Sequence, residues 1–211
     1  GLVNNNKGLL IIGHSNVGKT SLALEMVMNG YSFLGDDLTI LSNKGEILNF
    51  PKPVKLEGHN ITERPEILSR IKENMGTNEK LFFKILTSYL KKKSRSISTS
   101  VSIEDILETP TISSKHNINL VIHIKRYSGD SLIVTEMTAE ESVKEAALNL
   151  FWEFECQEYR YTKPFYAFKK AHGEDYTKFL EEHHNHIEDI LSVSFSKVKS
   201  YLIKIPAKST T

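Results

Sequence analysis

Apolar and polar positions change their spacing several times along the chain, and each change predicts an element. An apolar start at 1–3 is followed by Asn4-Asn5-Asn6-Lys7-Gly8 and then by the unbroken run Leu9-Leu10-Ile11-Ile12. Asn and Gly accept the left-handed backbone of tight turns, so the polar stretch reads as a turn. The apolar run reads as a strand buried on both faces. A hairpin leading into Gly13 is therefore expected. Over 19–29 the spacing becomes helical, with Leu22, Ala23, Met26 and Val27 as an apolar face and Gly30 as the stop. Residues 31–34 read as a strand ending at Gly35-Asp36-Asp37. Residues 38–41 continue extended, Asn43-Lys44-Gly45 turns, and 46–50 returns as a hairpin arm. Pro51-Lys52-Pro53 then keeps the backbone extended and interrupts regular pairing.

Further along, 61–93 has helical character, with Pro65 suited to a first turn and Gly76-Thr77-Asn78 as a break. The serine-rich 94–102 reads as a loop, and 102–107 as a short helix capped by Ser102. A strand at 119–124, a turn at Tyr127-Ser128-Gly129-Asp130 and a strand at 132–136 predict a second hairpin. Thr138 with Glu141 forms a capping-box pattern that opens a helix to about Glu155. A charged amphipathic helix over 174–191 and an alternating strand at 201–205 complete the set. Alternation of strands and helices predicts an α/β domain. We expect one domain over 1–211, a mixed β-sheet with flanking helices. The first residue is Gly1 rather than Met, so a trimmed upstream segment is also expected.

Composition changes this picture little. The 211 residues are 39% hydrophobic and 25% charged with a formal net charge of +1, an ordinary globular balance. Nothing in that charge points to nucleic acid or an anionic membrane as partner. Cys156 is the only cysteine, which precludes an internal disulfide and fits a reducing cytoplasm. No apolar run approaches the roughly 18 residues of a membrane span, and no signal-peptide pattern opens the chain. A cytoplasmic location is expected.

The chemistry concentrates in Gly13-His14-Ser15-Asn16-Val17-Gly18-Lys19-Thr20-Ser21, a full Walker A match between a predicted strand and a predicted helix. Gly13 lets the strand turn, and Gly18 lets backbone approach a polyphosphate. Successive N–H groups and the positive end of the next helix face the anion. Lys19 can reach the β- and γ-phosphates, and the Thr20 hydroxyl can ligate magnesium. The helix carries the chain about 15 Å away from the loop, and the next strand brings it about 17 Å back. Asp36 and Asp37 are thereby returned to the level of the loop, at the carboxyl end of a strand where ligands of α/β sheets collect. One carboxylate is placed to hold magnesium and the other to accept a proton from an attacking hydroxyl. The competing reading is a solvated Asp-Asp turn.

GHSNVGKTSLALEMVMNGYSFLGDD resembles the core of HPr kinase/phosphorylase and its smaller relatives, which share a P-loop fold with ATP-dependent phosphoenolpyruvate carboxykinase. Phe50-Pro51-Lys52-Pro53, LVIHIKRYSGD and TAEESVKEAALNL are similar to further segments of that family, while Asn16 stands where a glycine is often found. The resemblance implies ATP as substrate, Mg2+ as cofactor, Asp36 and Lys19 as catalytic groups, and Asp37 with Thr20 at the metal. The implied reaction is phosphoryl transfer to a hydroxyl on a protein, a peptide or a small molecule, in a chain able to form homo-oligomers. A nucleotide hydrolase or switch, and an inert nucleotide-binding module, remain alternatives. Asn43-Lys44-Gly45-Glu46 lacks the Asp of a guanine-recognition motif.

Other groups invite weaker readings. Lys55, Lys125 and Arg126 could meet phosphate or simply lie on solvated strand surfaces. Lys91 to Arg95 reads as a basic solvated loop. His183, His184 and His186 lack a metal-site pattern and read as a polar helix face. Phe151, Trp152, Phe154, Tyr159, Tyr161, Phe165, Tyr166 and Phe168 read as core, subunit interface or a peptide groove.

Overall fold

In the computed structural model, which describes residues 1–36, 39–50, 52–57, 67, 69, 73, 98–106, 115–174 and 176–207, the chain opens as the expected hairpin. β1 (Leu2–Asn4) and β2 (Lys7–Ile12) pair antiparallel, with Leu2 opposite Leu9 and Asn4 opposite Lys7. Asn5 and Asn6 between them have φ of 49° and 61°, the left-handed pair that a two-residue hairpin turn requires. α1 (Lys19–Met28) follows, and β3 (Ser32–Phe33) then pairs antiparallel with β1. β3 consequently runs parallel to β2 with β1 between them.

β4 (Ile40–Leu41) and β5 (Glu46–Leu48) form the expected second hairpin. β6 (Val54–Glu57) pairs with β7 (Ser98–Val101) as a separate two-stranded sheet. This corrects the expected loop over 98–101, while 94–97 lie outside the described residues. The alternation of Val54 and Leu56, both buried, supplies the apolar side that draws a serine-rich partner strand into place. α2 (Ile103–Ile106) follows directly. The expectations for 61–93 fall outside the described residues apart from Ile67, Ser69 and Glu73, which are helical, and Lys91 to Arg95 falls wholly outside them.

β8 (Lys115–Tyr127) is the spine of the large sheet. Its first residues pair antiparallel with β5, its middle pairs parallel with β2, and its second half pairs parallel with β10 (Lys199–Pro206). β9 (Ile133–Met137) pairs with β10 and not with β8. The hairpin expected across residues 127–130 is therefore absent, because β10 occupies the place between its two arms. The main order is β3-β1-β2-β8-β10-β9, a mixed sheet.

Side chains of β2 alternate between two cores, as period-two geometry demands. Leu9 joins α1 residues Ala23, Leu24 and Val27, together with Val54, Leu56 and Ile103. Leu10 faces the other way, against Val121, Val143, Ala147, Leu191 and Phe195. That second layer is built by α3 (Ala139–Ala171) and α4 (Tyr176–Phe195). The buried stripe of α1 is Ala23, Leu24 and Val27, one position round from the expected face, with Leu22 and Met26 only partly covered.

α3 runs far beyond the expected end near Glu155 and passes through Pro164. Trp152, Phe165, Tyr166 and Phe168 on it are exposed, so these aromatic residues do not form core. Its start is the expected capping box: Glu141 N–H donates to Thr138 Oγ1 at 3.2 Å, and Thr138 N–H donates to Glu141 Oε2 at 2.8 Å. Among the described residues no helix is long and apolar enough to cross a membrane. Replacing Thr138 by Ala should cost about 1 kcal/mol and lower Tm by about 2–4 °C, read by a thermal melt followed by circular dichroism.

Candidate functional site

The loop after β2 lies against the continuing end of β8. Ile12 sits opposite His123, and β8 extends four residues further. A Cβ at Gly13 would stand 2.6 Å from the Ile124 carbonyl oxygen and 3.0 Å from Val17 Cγ2, so only glycine fits there. Val17 is buried and anchors the loop from below, while Ser15 and Asn16 are exposed at its tip. Asn16 has φ of 64°. It takes the left-handed backbone for which glycine is the usual choice, and asparagine tolerates it better than other side chains. Gly18 has φ of 105° and precedes the first residue of α1 without a side-chain cap. The first amides of α1 are thus left for a partner from outside the helix.

Lys19 folds back into this loop. Its ammonium donates to the Gly13 carbonyl and, at 2.8 Å, to the His14 carbonyl. Thr20 points toward Asp36: its Oγ1 donates to the Asp36 carboxylate at 3.1–3.2 Å. This contact results from the direction of β3, which returns the chain parallel to β2. Phe50 N–H donates to the Leu34 carbonyl at 2.9 Å and ties the following segment beside the same turn. Asp37 lies outside the described residues, as does Pro51. Ser21 is half-buried in the first turn of α1.

Helix α3 supplies a polar face that the sequence reading missed. Glu145 pairs with Lys125 at 2.8 Å, Asn149 Nδ2 meets His14 Nδ1 at 3.1 Å, and the Glu153 carboxylate lies 3.7 Å from Lys19 Nζ. Residues four apart share one helix face. The signal was present as Glu-x-x-x-Asn-x-x-x-Glu inside an otherwise apolar stretch, but nothing in the sequence says which sheet residues it meets. Lys125 is thus paired with a carboxylate while remaining partly exposed, and exposed Arg126 donates to the Pro206 carbonyl at 3.1 Å. Lys55 is an exposed strand lysine, as expected.

His123, on the same face of β8, is 1% exposed, and its Nε2 lies 2.8 Å from Ser142 Oγ. Burial pushes its pKa down from 6.5 to about 4, with Glu145 opposing that shift and Lys125 adding to it. The ring is therefore neutral in the folded protein at neutral pH. On α4, His184 is 3.5 Å from Glu188, while His183 and His186 are exposed. Among the described residues no group of three His, Cys, Asp or Glu side chains converges as a metal cluster. Asn43 to Glu46 serve as the β4–β5 turn, with Ser42 N–H donating to the Glu46 carbonyl at 2.9 Å.

The donor set has a definite chemistry. The loop offers a cation and backbone N–H groups, which suit an anion such as phosphate. Thr20 and Asp36 offer a hydroxyl and a carboxylate, the hard oxygen ligands that Mg2+ takes directly or through water.

Comparison with known proteins adds one relative. The chain is 24% identical over 143 residues to HPr kinase/phosphorylase of Nitrosomonas europaea, covering 68% of this chain and 34% of that protein. The chain thus spans about a third of the relative's length. No protein-family model matches, and no solved structure matches. The relation suggests kinship with a kinase family at a distance.

Gly13→Ala should destabilise the protein by about 1–3 kcal/mol, seen as a lower urea midpoint at unchanged slope. The unfolded chain protonates His123 near its ordinary value of 6.5, while the folded chain does so only near 4. Stability should therefore be full above pH 6.5 and fall as pH drops toward 4, by up to about 3 kcal/mol. Denaturant titrations across that range should show the loss, and His123→Gln should flatten it.

Proposed function

We propose that this chain binds a nucleoside triphosphate with Mg2+ in a P-loop and transfers the terminal phosphoryl group to a hydroxyl. The observation that carries the reading is the Thr20–Asp36 contact at the start of α1, with Lys19 folded into the same loop. A chance glycine loop has no reason to bring a carboxylate from beyond the next strand onto the residue after its lysine. The distant relation to a protein named HPr kinase/phosphorylase supports a phosphotransferase over other nucleotide-binding classes. ATP is the nucleotide proposed, and the acceptor is a serine of a protein or peptide, or a small-molecule hydroxyl.

The residues divide the work as follows. Backbone N–H groups from 13 to 20 and the Lys19 ammonium hold the phosphates and offset charge that develops as the terminal phosphorus–oxygen bond breaks. Thr20 and Asp36 hold the metal, and Mg2+ when bound supplies positive charge against the phosphate oxygens. The Thr20 contact favours Asp36 for this role, which exchanges the parts expected from the resemblance. Asp37, the other half of the pair, then takes the proton from the acceptor hydroxyl as its oxygen bonds to phosphorus. The site would work in a cytoplasmic setting, where ATP and Mg2+ are abundant.

The test uses γ-labelled ATP with a lysate of the source organism, comparing the unmutated protein with Asp36→Asn and Asp37→Asn. Label should enter a protein, peptide or metabolite only with active protein. Asp36→Asn should lose about 10–100-fold in rate and need more Mg2+. Asp37→Asn should lose about 100-fold or more at an unchanged Mg2+ requirement. Label released only as free phosphate would replace the kinase reading with a hydrolase or switch. Binding without turnover would leave an inert nucleotide-binding module.

A further inference from the structure

Lys19 is held by more than its own loop. Glu153 reaches down from α3 to within 3.7 Å of its ammonium, too far for a hydrogen bond but close enough for an ion pair. Oxygen Oε1 of Glu153 is buried and has no hydrogen-bond partner, so its charge is offset by Lys19 and not by a local donor. The two side chains are similarly sheltered, 22% and 20% exposed. One turn earlier on the same helix face, Asn149 meets the His14 ring at 3.1 Å, which fixes the helix against the loop.

We propose that Glu153 is a positioning residue for Lys19, an internal stand-in for phosphate that holds the ammonium in the loop and competes with the bound nucleotide for it. This rests on reading the loop as a nucleotide site. An anion entering the loop meets Lys19 already paired with a carboxylate. The lysine must then leave Glu153, or two negative groups must share one cation in a partly buried space, where like charges repel more strongly than in water. Glu153 therefore lowers affinity in proportion to the charge brought near Lys19. A triphosphate feels this more than a diphosphate, since Lys19 of such a loop reaches the β- and γ-phosphates.

Glu153→Gln removes the charge while keeping the size and helix preference of the side chain. Two measurements on the full chain test the proposal. In the first, nucleotide-free protein is treated with an amine-acylating reagent, and labelling of Lys19 is followed by peptide mass spectrometry. Glu153→Gln should label several-fold faster, because the ammonium is released from its carboxylate. In the second, calorimetry with Mg·ATP and Mg·ADP should show tighter ATP binding in the variant, by about fivefold, with a smaller gain for ADP.

Unchanged Lys19 labelling overturns the proposal whatever the nucleotide does. Unchanged or weaker ATP binding in the variant also overturns it, as does an equal gain for both nucleotides, which would mark a merely structural change. Faster labelling in a protein that binds neither nucleotide, mutated or not, would uphold the grip of Glu153 on Lys19. It would overturn the nucleotide reading instead.

Discussion

The candidate site depends on the length of β8. Its partner β2 stops at Ile12, opposite His123, whereas β8 continues to Tyr127. The glycine loop therefore does not project into solvent from a ragged sheet edge. It rests on the backbone of a neighbouring strand, so closely that a methyl group at Gly13 would strike the Ile124 carbonyl. The overhang also provides the surface on which α3 is seated. Lys125 lies on it and meets Glu145 of that helix, and His123 at its start meets Ser142. Sheet, loop and covering helix are thus positioned by one strand, which pairs with three others along its length.

Electrostatics follows from that arrangement. The N-terminus of α1 and the Lys19 ammonium put positive charge into a narrow space, and the chain answers it from two sides. Backbone carbonyls of Gly13 and His14 accept from Lys19 below, and Glu153 approaches from α3. Asp36 sits across the loop on the Thr20 hydroxyl. The acidic groups belong to segments far apart in sequence, so charge balance at the loop is a property of the assembled fold. Neutral His123 is part of the same design. It fills the space under α3 without adding a second cation beside Lys125.

Local chemistry made much of this legible. The Asn-Asn turn, the strand before Gly13, the helix after Gly18 and the capping box at Thr138 all follow from short-range preferences that tertiary packing did not override. The return of Asp36 to the loop followed from rise per residue alone. What escaped notice was non-local. Pairing of Ser98–Val101 with Val54–Glu57 joins segments some forty residues apart, and a serine-rich strand carries no apolar alternation to announce itself. The extension of α3 through Pro164 contradicts the ordinary reading of proline as a helix stop. The Glu145, Asn149 and Glu153 face was visible as spacing, but its partners lie on other elements. Asp37 and most of 61–93 fall outside the described residues.

The slot between β8 and β9 has a consequence for how the chain acquires its shape. These two strands are joined by residues 128–132, a connection short enough for a simple hairpin, yet neither pairs with the other. Their facing edges are filled by β10, which comes more than sixty residues after β9. Short-range closure is faster than long-range closure. The quickest contact open to a newly made chain is therefore the one the finished sheet forbids. Folding has to keep two adjacent edges apart until a late strand arrives between them. Leu132, Ile133 and Val134, which remain solvent-exposed beside that slot, are the residues a premature hairpin would engage first.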